Sequence, residues 1–374
     1  MSTTRRLAYL DALKIVSIYF VVIIHVVGFK LGTFTASLDW FSSHFVSMMA
    51  RFAVPAFIMC SGAVLLSRTT ESFTDVKRFY GKYLTSYAGY LFLGLVIAKG
   101  LAIYLNIPTP LLKGIVYDYY DGFGSGMWFF FMLIGLVLVA PILQQLAKNR
   151  SMEKLFVMLW VFFSIMNPLF SNILGLYKSY IDNMLYGSYF VGYFVLGHLL
   201  ATTTRRFNTR ALVICAASGL VLATLSGFAL SMHTGSLSEF FYYSNNPFIM
   251  VYTASLFLLF KNLHFGDTST NMLKHIASTT GYIYIFHTAV MSIVPIGYST
   301  NLLKLVFIRT PGIVIISMAI AFAYILLHRG VKRIMTAHPG LAPDAIFQAF
   351  SSRMPHTMHS MTVKFRRFLF SDGA

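Results

Sequence analysis

Long apolar runs broken by short polar stretches dominate this chain. Ten runs stand out, at Leu10–Leu31, Phe41–Leu66, Tyr83–Leu105, Met127–Leu146, Leu155–Leu174, Leu185–Ala201, Ala211–Met232, Pro247–Phe260, Ile276–Pro295 and Ile308–Leu327. Several stay predominantly apolar for about eighteen residues or more, the length a helix needs to cross about 30 Å of hydrocarbon. The alternating ten-residue segments of a membrane barrel are not seen, so the spans are predicted to be helical. The predicted fold is an all-α, polytopic membrane bundle of about ten transmembrane helices.

Composition agrees with that pattern. Of 374 residues, 57% are hydrophobic and 11% charged, whereas a soluble domain carries about a quarter charged residues. The formal charge of +17 would suit nucleic acid, but no basic patch with interleaved aromatics sits in a polar domain, so nucleic acid is not an expected partner. Lys and Arg instead gather in every second loop: Arg5 and Arg6, then Arg68 to Lys82, Lys148 to Lys154, Arg205 to Arg210, Lys261 with Lys274, and the segment from Arg329 onward. This asymmetry predicts that both termini are cytoplasmic. Arg5 and Arg6 precede an apolar stretch with no small-residue cleavage site, so that stretch reads as a first span. Residues 1–332 form one membrane domain in this reading. Residues 333–374 form a basic cytoplasmic tail, which either lies on an anionic leaflet or stays disordered. Cys60 and Cys215 both fall in apolar runs, with no disulfide framework and no metal-ligand spacing.

Ionisable residues inside spans cost roughly 2.5–3.5 kcal/mol each to insert and so mark candidate chemistry. The first run carries Asp11, Lys14 and His25. Lys14 and His25 lie eleven residues apart, about three turns, and share a face about 16 Å apart. Arg51 in the second run and His287 in the ninth fall at a similar depth to His25, in the outer half of the bilayer. Each also has a plainer reading: Lys14 can snorkel to the interface, Arg51 can tie down carbonyls near Pro55, and His287 can be a satisfied packing residue. A histidine base with an arginine that stabilises negative charge suits acyl transfer to a hydroxyl. It suits a proton-coupled exporter or flippase of a glycan or small molecule nearly as well. Arg78 and Lys82, after the second run, can meet phosphates or serve as ordinary positive-inside residues.

Several stretches resemble the acyltransferase-3 family of integral membrane acyltransferases. Leu10-Asp-Ala-Leu-Lys14 followed by His25 is similar to the family's first-helix motif. Arg51-Phe-Ala-Val-Pro55-Ala-Phe57 with Ser61-Gly62 is similar to its second span. Met127-Trp128-Phe129, leading to Gly135 and Ala140-Pro141, is similar to its fourth. Gly281-Tyr-Ile-Tyr-Ile-Phe-His287 is similar to a later stretch that ends in His. The resemblance covers roughly residues 8–330 and is closest to the stand-alone branch that includes the enterobacterial common antigen O-acetyltransferase. It implies a bacterial inner-membrane O-acetyltransferase, with acetyl-CoA as co-substrate and no resident cofactor or metal. The acceptor would be an envelope carbohydrate or lipid-linked sugar. Carried onto this chain, His25 and Arg51 become catalytic, with His25 as general base. Lys14, Arg78, Lys82, Trp128 and His287 become substrate-binding. The chain departs from the family in having Lys14 where many relatives have Arg, which keeps charge but loses bidentate contact. It also has Gly126 where many have His two residues before the tryptophan, and Lys77, Arg78 and Lys82 in place of an arginine pair.

Overall fold

The computed structural model describes residues 7–106, 126–173, 189–295, 297 and 299–337. Two units divide the chain, Met1–Met318 and Ala319–Ala374. Every regular element among the described residues is helical. We number the principal helices α1 (Ala8–Gly28), α2 (Leu38–Ala50), α3 (Ala53–Leu65), α4 (Phe73–Tyr104), α5 (Trp128–Lys148), α6 (Arg150–Trp160), α7 (Asn167–Ile173), α8 (Tyr189–Thr202), α9 (Thr209–Thr234), α10 (Pro247–Lys261), α11 (Asp267–Ala277), α12 (Thr280–Ile293) and α13 (Thr310–Ala337). Six-residue and five-residue π-helical turns, Val161–Met166 and Leu305–Arg309, interrupt the regular winding before α7 and α13.

Each of the ten predicted runs is mainly helical where described, with turns at Arg51 and Phe52 and at Ser278 and Thr279. Seven stretches are long and apolar enough to cross a membrane: Ala8–Leu31, Leu38–Leu65, Phe73–Tyr104, Trp128–Lys148, Arg150–Ser171, Thr209–Thr234 and Leu302–Ile334. The remaining three runs are the shorter apolar helices α8, α10 and α12, of 14, 15 and 14 residues. The chain is an all-α multi-pass membrane protein. The predicted boundaries at residue 174 and at 185–188, and nearly all of the basic tail, lie outside the described residues.

Two local features decide where the candidate residues stand. The second run is a single span built from two helices, and its break falls at Arg51 and Phe52. Pro55 explains it: a proline has no N–H to offer the carbonyl four residues earlier and its ring crowds that carbonyl, which here belongs to Arg51. The third run begins ten residues earlier than its hydropathy implies. Ser72 and Asp75 form a reciprocal capping box, each side chain bonded to the other's backbone N–H at 3.1 Å, and this starts the helix at Phe73. At 32 residues α4 is about 48 Å long, well beyond the hydrocarbon thickness. Arg78 and Lys82 therefore stand on a helical extension and not in a loop.

Within the first unit, α1 packs against α2, α3, α10, α11 and α12. Two stripes of valine and isoleucine, spaced four apart, organise its C-terminal half. Val22 and Val26 pack with Val290 of α12 and Ile313 of α13, while Ile23 and Val27 pack with Ala50 of α2. A further cluster joins Trp40 and Met48 of α2 to Ala223 of α9, Tyr242 and Ile249. Helices α3 and α8 meet at nearly bare backbone. A Cβ on Gly62 would fall 1.8 Å from the Phe194 carbonyl oxygen, and one on Gly197 would fall 2.1 Å from that of Met59. Small residues allow this approach, which brings backbone dispersion into play where lipid offers no hydrophobic drive.

Candidate active site

The two α1 stripes set the site. Because Val290 and Ala50 are pinned on either side of α1, His287, one turn before Val290, and Arg51, next to Ala50, both come against the helix that bears His25. The His25 and His287 rings lie 5.1 Å apart, tilted by 46°. His25 is exposed, whereas His287 behind it is only 1% exposed. His287 Nδ1 donates to the Tyr284 carbonyl at 2.7 Å and lies 3.2 Å from that of Ile283. In the neutral ring this leaves Nε2 without a proton, as an acceptor. That Nε2 is buried and has no hydrogen-bond partner.

Arg51 sits half-buried at the α2–α3 break. Its Nη2 donates to Ser47 Oγ at 3.2 Å, and its guanidinium lies 4.5 Å over the Tyr242 ring. The Arg51 charge reaches both His25 and His44. Its Nε is buried without a partner, one of seven described side chains with such an orphaned polar atom; His287 is another. Among the described residues no carboxylate lies within ion-pair distance of Arg51. The exposed Glu239 acts on it only from further off. Two groups that chemistry needs unoccupied, a basic lone pair and an N–H donor, thus sit beside the accessible His25.

The other predicted residues are distributed along the fold. Lys14 is half-buried near the N-terminal end of α1, where its charge and that of the buried Asp11 act on the Cys60 thiol. It is about 16 Å from His25 along the axis. Arg78 and Lys82 are exposed at the start of α4. Arg78 pairs with Asp75 at 3.4 Å, and Lys82 lies over the Tyr83 ring at 5.4 Å. Trp128 is half-buried at the first turn of α5 and stacks on Phe190 of α8, with centroids 5.8 Å apart. The segment before it is tied to the site's helix, because the Tyr284 hydroxyl donates to the Gly126 carbonyl at 2.9 Å. Gly126 has φ +68°, a left-handed conformation that disfavours side chains. The fold joins His25, Arg51 and His287, and it leaves Lys14, Arg78, Lys82 and Trp128 at separate places. No group of three or more His, Cys, Asp or Glu that could hold a metal ion occurs among the described residues.

Sequence reasoning missed His44, Ser47 and Tyr242. His44, Ser47 and Arg51 are spaced three and four apart, so one helical face carries all three, and that spacing was available as a signal. Tyr242 lies in a short 3-10 turn, Phe240–Tyr242, and no local pattern marks it.

These features define a multi-pass membrane protein with an accessible histidine backed by a second histidine and an arginine. Residues 7–328 match the family model described as an acyltransferase domain, and the chain belongs to the acyltransferase-3 family. It is a membrane acyltransferase. No curated protein and no solved structure matches the chain.

Proposed function

We propose that the protein is an O-acetyltransferase of the bacterial inner membrane, moving an acetyl group from cytoplasmic acetyl-CoA to a hydroxyl of an envelope carbohydrate. The observation that carries this reading is the accessible His25 ring, 5.1 Å from His287 and within reach of the Arg51 charge. The family supplies acyl transfer. The donor, the acceptor class and the affinity with the common-antigen branch come from the sequence resemblance.

In this mechanism His25 accepts the proton of the acceptor hydroxyl as its oxygen attacks the thioester carbonyl. The free N–H of Arg51 donates to the oxyanion that forms. The carbon–sulfur bond then breaks, the ester is released, and the CoA thiolate takes the proton from His25. His287, with its acceptor nitrogen turned to no other partner, steadies His25. Lys14, Arg78 and Lys82 meet the donor on the cytoplasmic side, and Trp128 lines the approach to the site.

The test is mass spectrometry of envelope glycans from the native host, a deletion strain, and that deletion complemented with His25→Ala. Loss of an acetyl-sized substituent in both altered strains is expected, and the acceptor would be identified with it. Full acetylation in the His25→Ala strain would sink the base assignment. Unchanged acetylation with altered glycan export would return the chain to the carrier reading.

A further inference from the structure

We infer that Tyr242 and His44 are positioning residues that aim the Arg51 guanidinium; this rests on the reading of Arg51 as the group that stabilises the oxyanion. Three elements build the arrangement. His44 of α2 is fully buried, stacked on Trp40 at 5.1 Å with rings 11° from parallel. Its Nε2 lies 3.0 Å from the Thr224 carbonyl of α9. A carbonyl only accepts, so Nε2 carries the proton and Nδ1 of the neutral ring is an acceptor. Its partner there is the Tyr242 hydroxyl, which therefore donates. Tyr242 is 6% exposed, and its ring face carries the Arg51 guanidinium.

Each link constrains the next. The Thr224 carbonyl fixes the histidine tautomer. The histidine fixes the phenol and draws its proton away, which leaves more negative charge on the ring face below the cation. The ring then sets the guanidinium plane, and Ser47 Oγ, itself fully buried, fixes its rotation through Nη2. A guanidinium presents its five N–H groups in one rigid fork, so setting plane and rotation decides where the remaining donors point. Nε, buried and without a partner, is one of them. An arginine inside a membrane is ordinarily held by a carboxylate. A π face and a hydroxyl hold this one without neutralising it, which keeps its charge for a ligand oxygen.

The experiment uses inside-out membrane vesicles from host cells expressing the full chain, fed radiolabelled acetyl-CoA, with label in glycan measured across acetyl-CoA concentrations and normalised to the amount of protein. Tyr242→Phe keeps the ring and removes the hydroxyl. It is expected to lower the maximal rate about tenfold, the scale of a misaligned catalytic group, with the half-saturating acetyl-CoA concentration unchanged within about twofold. His44→Ala is expected to give the same loss. The double variant is expected to be no slower than either single one, because both act through one chain. His44→Asn, whose side-chain oxygen can again accept from Tyr242, should regain part of the rate. A full rate in Tyr242→Phe, losses that multiply in the double variant, or a change confined to half-saturation would overturn the inference. Arg51→Ala, run in parallel, separates the two levels. An inactive Arg51→Ala beside a fully active Tyr242→Phe removes only the positioning roles. A fully active Arg51→Ala removes the oxyanion reading and the inference with it, and wild-type vesicles that transfer no label remove the acetyl-transfer reading and both roles with it.

Discussion

Two buried histidine clusters invite comparison, one around His287 and one around His198. Near the C-terminal end of α8, His198 Nδ1 donates to Glu153 Oε1 at 2.6 Å. The other oxygen of Glu153, which is fully buried, accepts from Arg150 at 2.8 Å. Arg150 also donates to the Leu199 carbonyl and to Thr202, both at the end of α8. Lys261 of α10 caps the same helix end through the Leu200 and Thr203 carbonyls. There the Glu153 carboxylate is shared by two donors, and three helix ends are locked together. At His287, Nδ1 is anchored to its own helix, and Nε2 is buried with no partner. Residue type and burial are the same in the two places, so neither separates framework from chemistry. What separates them is the partner: His198 is held by the buried carboxylate of Glu153, whereas His287 meets only carbonyls of its own helix and keeps a buried, unpartnered nitrogen.

One substitution made at both places tests that distinction. His198→Phe keeps ring volume but takes a donor from a buried carboxylate. It should cost about 3 kcal/mol of stability while leaving turnover per folded molecule intact. Melting followed by fluorescence in detergent, paired with the vesicle transfer rate, reads both quantities. His287→Phe should show the opposite pattern: a melting midpoint close to the wild type and a transfer rate about tenfold lower, because what is lost is one bond to a carbonyl of its own helix and the lone pair of a ring packed against His25. If His198→Phe lost turnover without losing stability, or His287→Phe lost stability alone, the comparison would fail.

Much of this was legible in the chain, and the remainder was hidden for physical reasons. Hydropathy found the long apolar helices, since insertion cost is a property of the local run. It missed the N-terminal start of α4, because a capping box of Ser72 and Asp75 outweighs the polarity of the turns after it. Depth along the spans brought His25, Arg51 and His287 to one level, but depth says nothing of which faces meet. Packing of Val26 on Val290 and of Val27 with Ala50 decided that. Arg51 was expected from its motif, while the groups that hold it were not. Ser47 and His44 share one face of α2 with it, a periodicity masked by the apolar residues around them. Tyr242 is nearly two hundred residues from His44, and only the tertiary fold pairs them.

The smallest effect is expected where groups are exposed, at the start of α4, and it extends the comparison to a third kind of site. Arg78, with 77% of its side chain exposed, has one weak partner in Asp75 at 3.4 Å, which is also engaged as a helix cap. Lys82 is exposed beside Tyr83. Neither is locked like Arg150 nor buried with an orphaned atom like Arg51. If they meet the phosphates of the donor, they do so in water, where a charge pair is worth roughly 0.2–1 kcal/mol. Arg78→Ala and Lys82→Ala should then each raise the half-saturating acetyl-CoA concentration by about two- to fivefold at low ionic strength, with the maximal rate unchanged. Added salt should shrink the difference, since surface charges more than about 10 Å apart are screened at 0.1 M. A maximal rate that falls would place these residues in the reacting site, against their exposure. An unchanged half-saturation at low salt would leave them as orienting charges of the membrane fold, and the donor would have to be held by buried groups alone, with Lys14 the first to test.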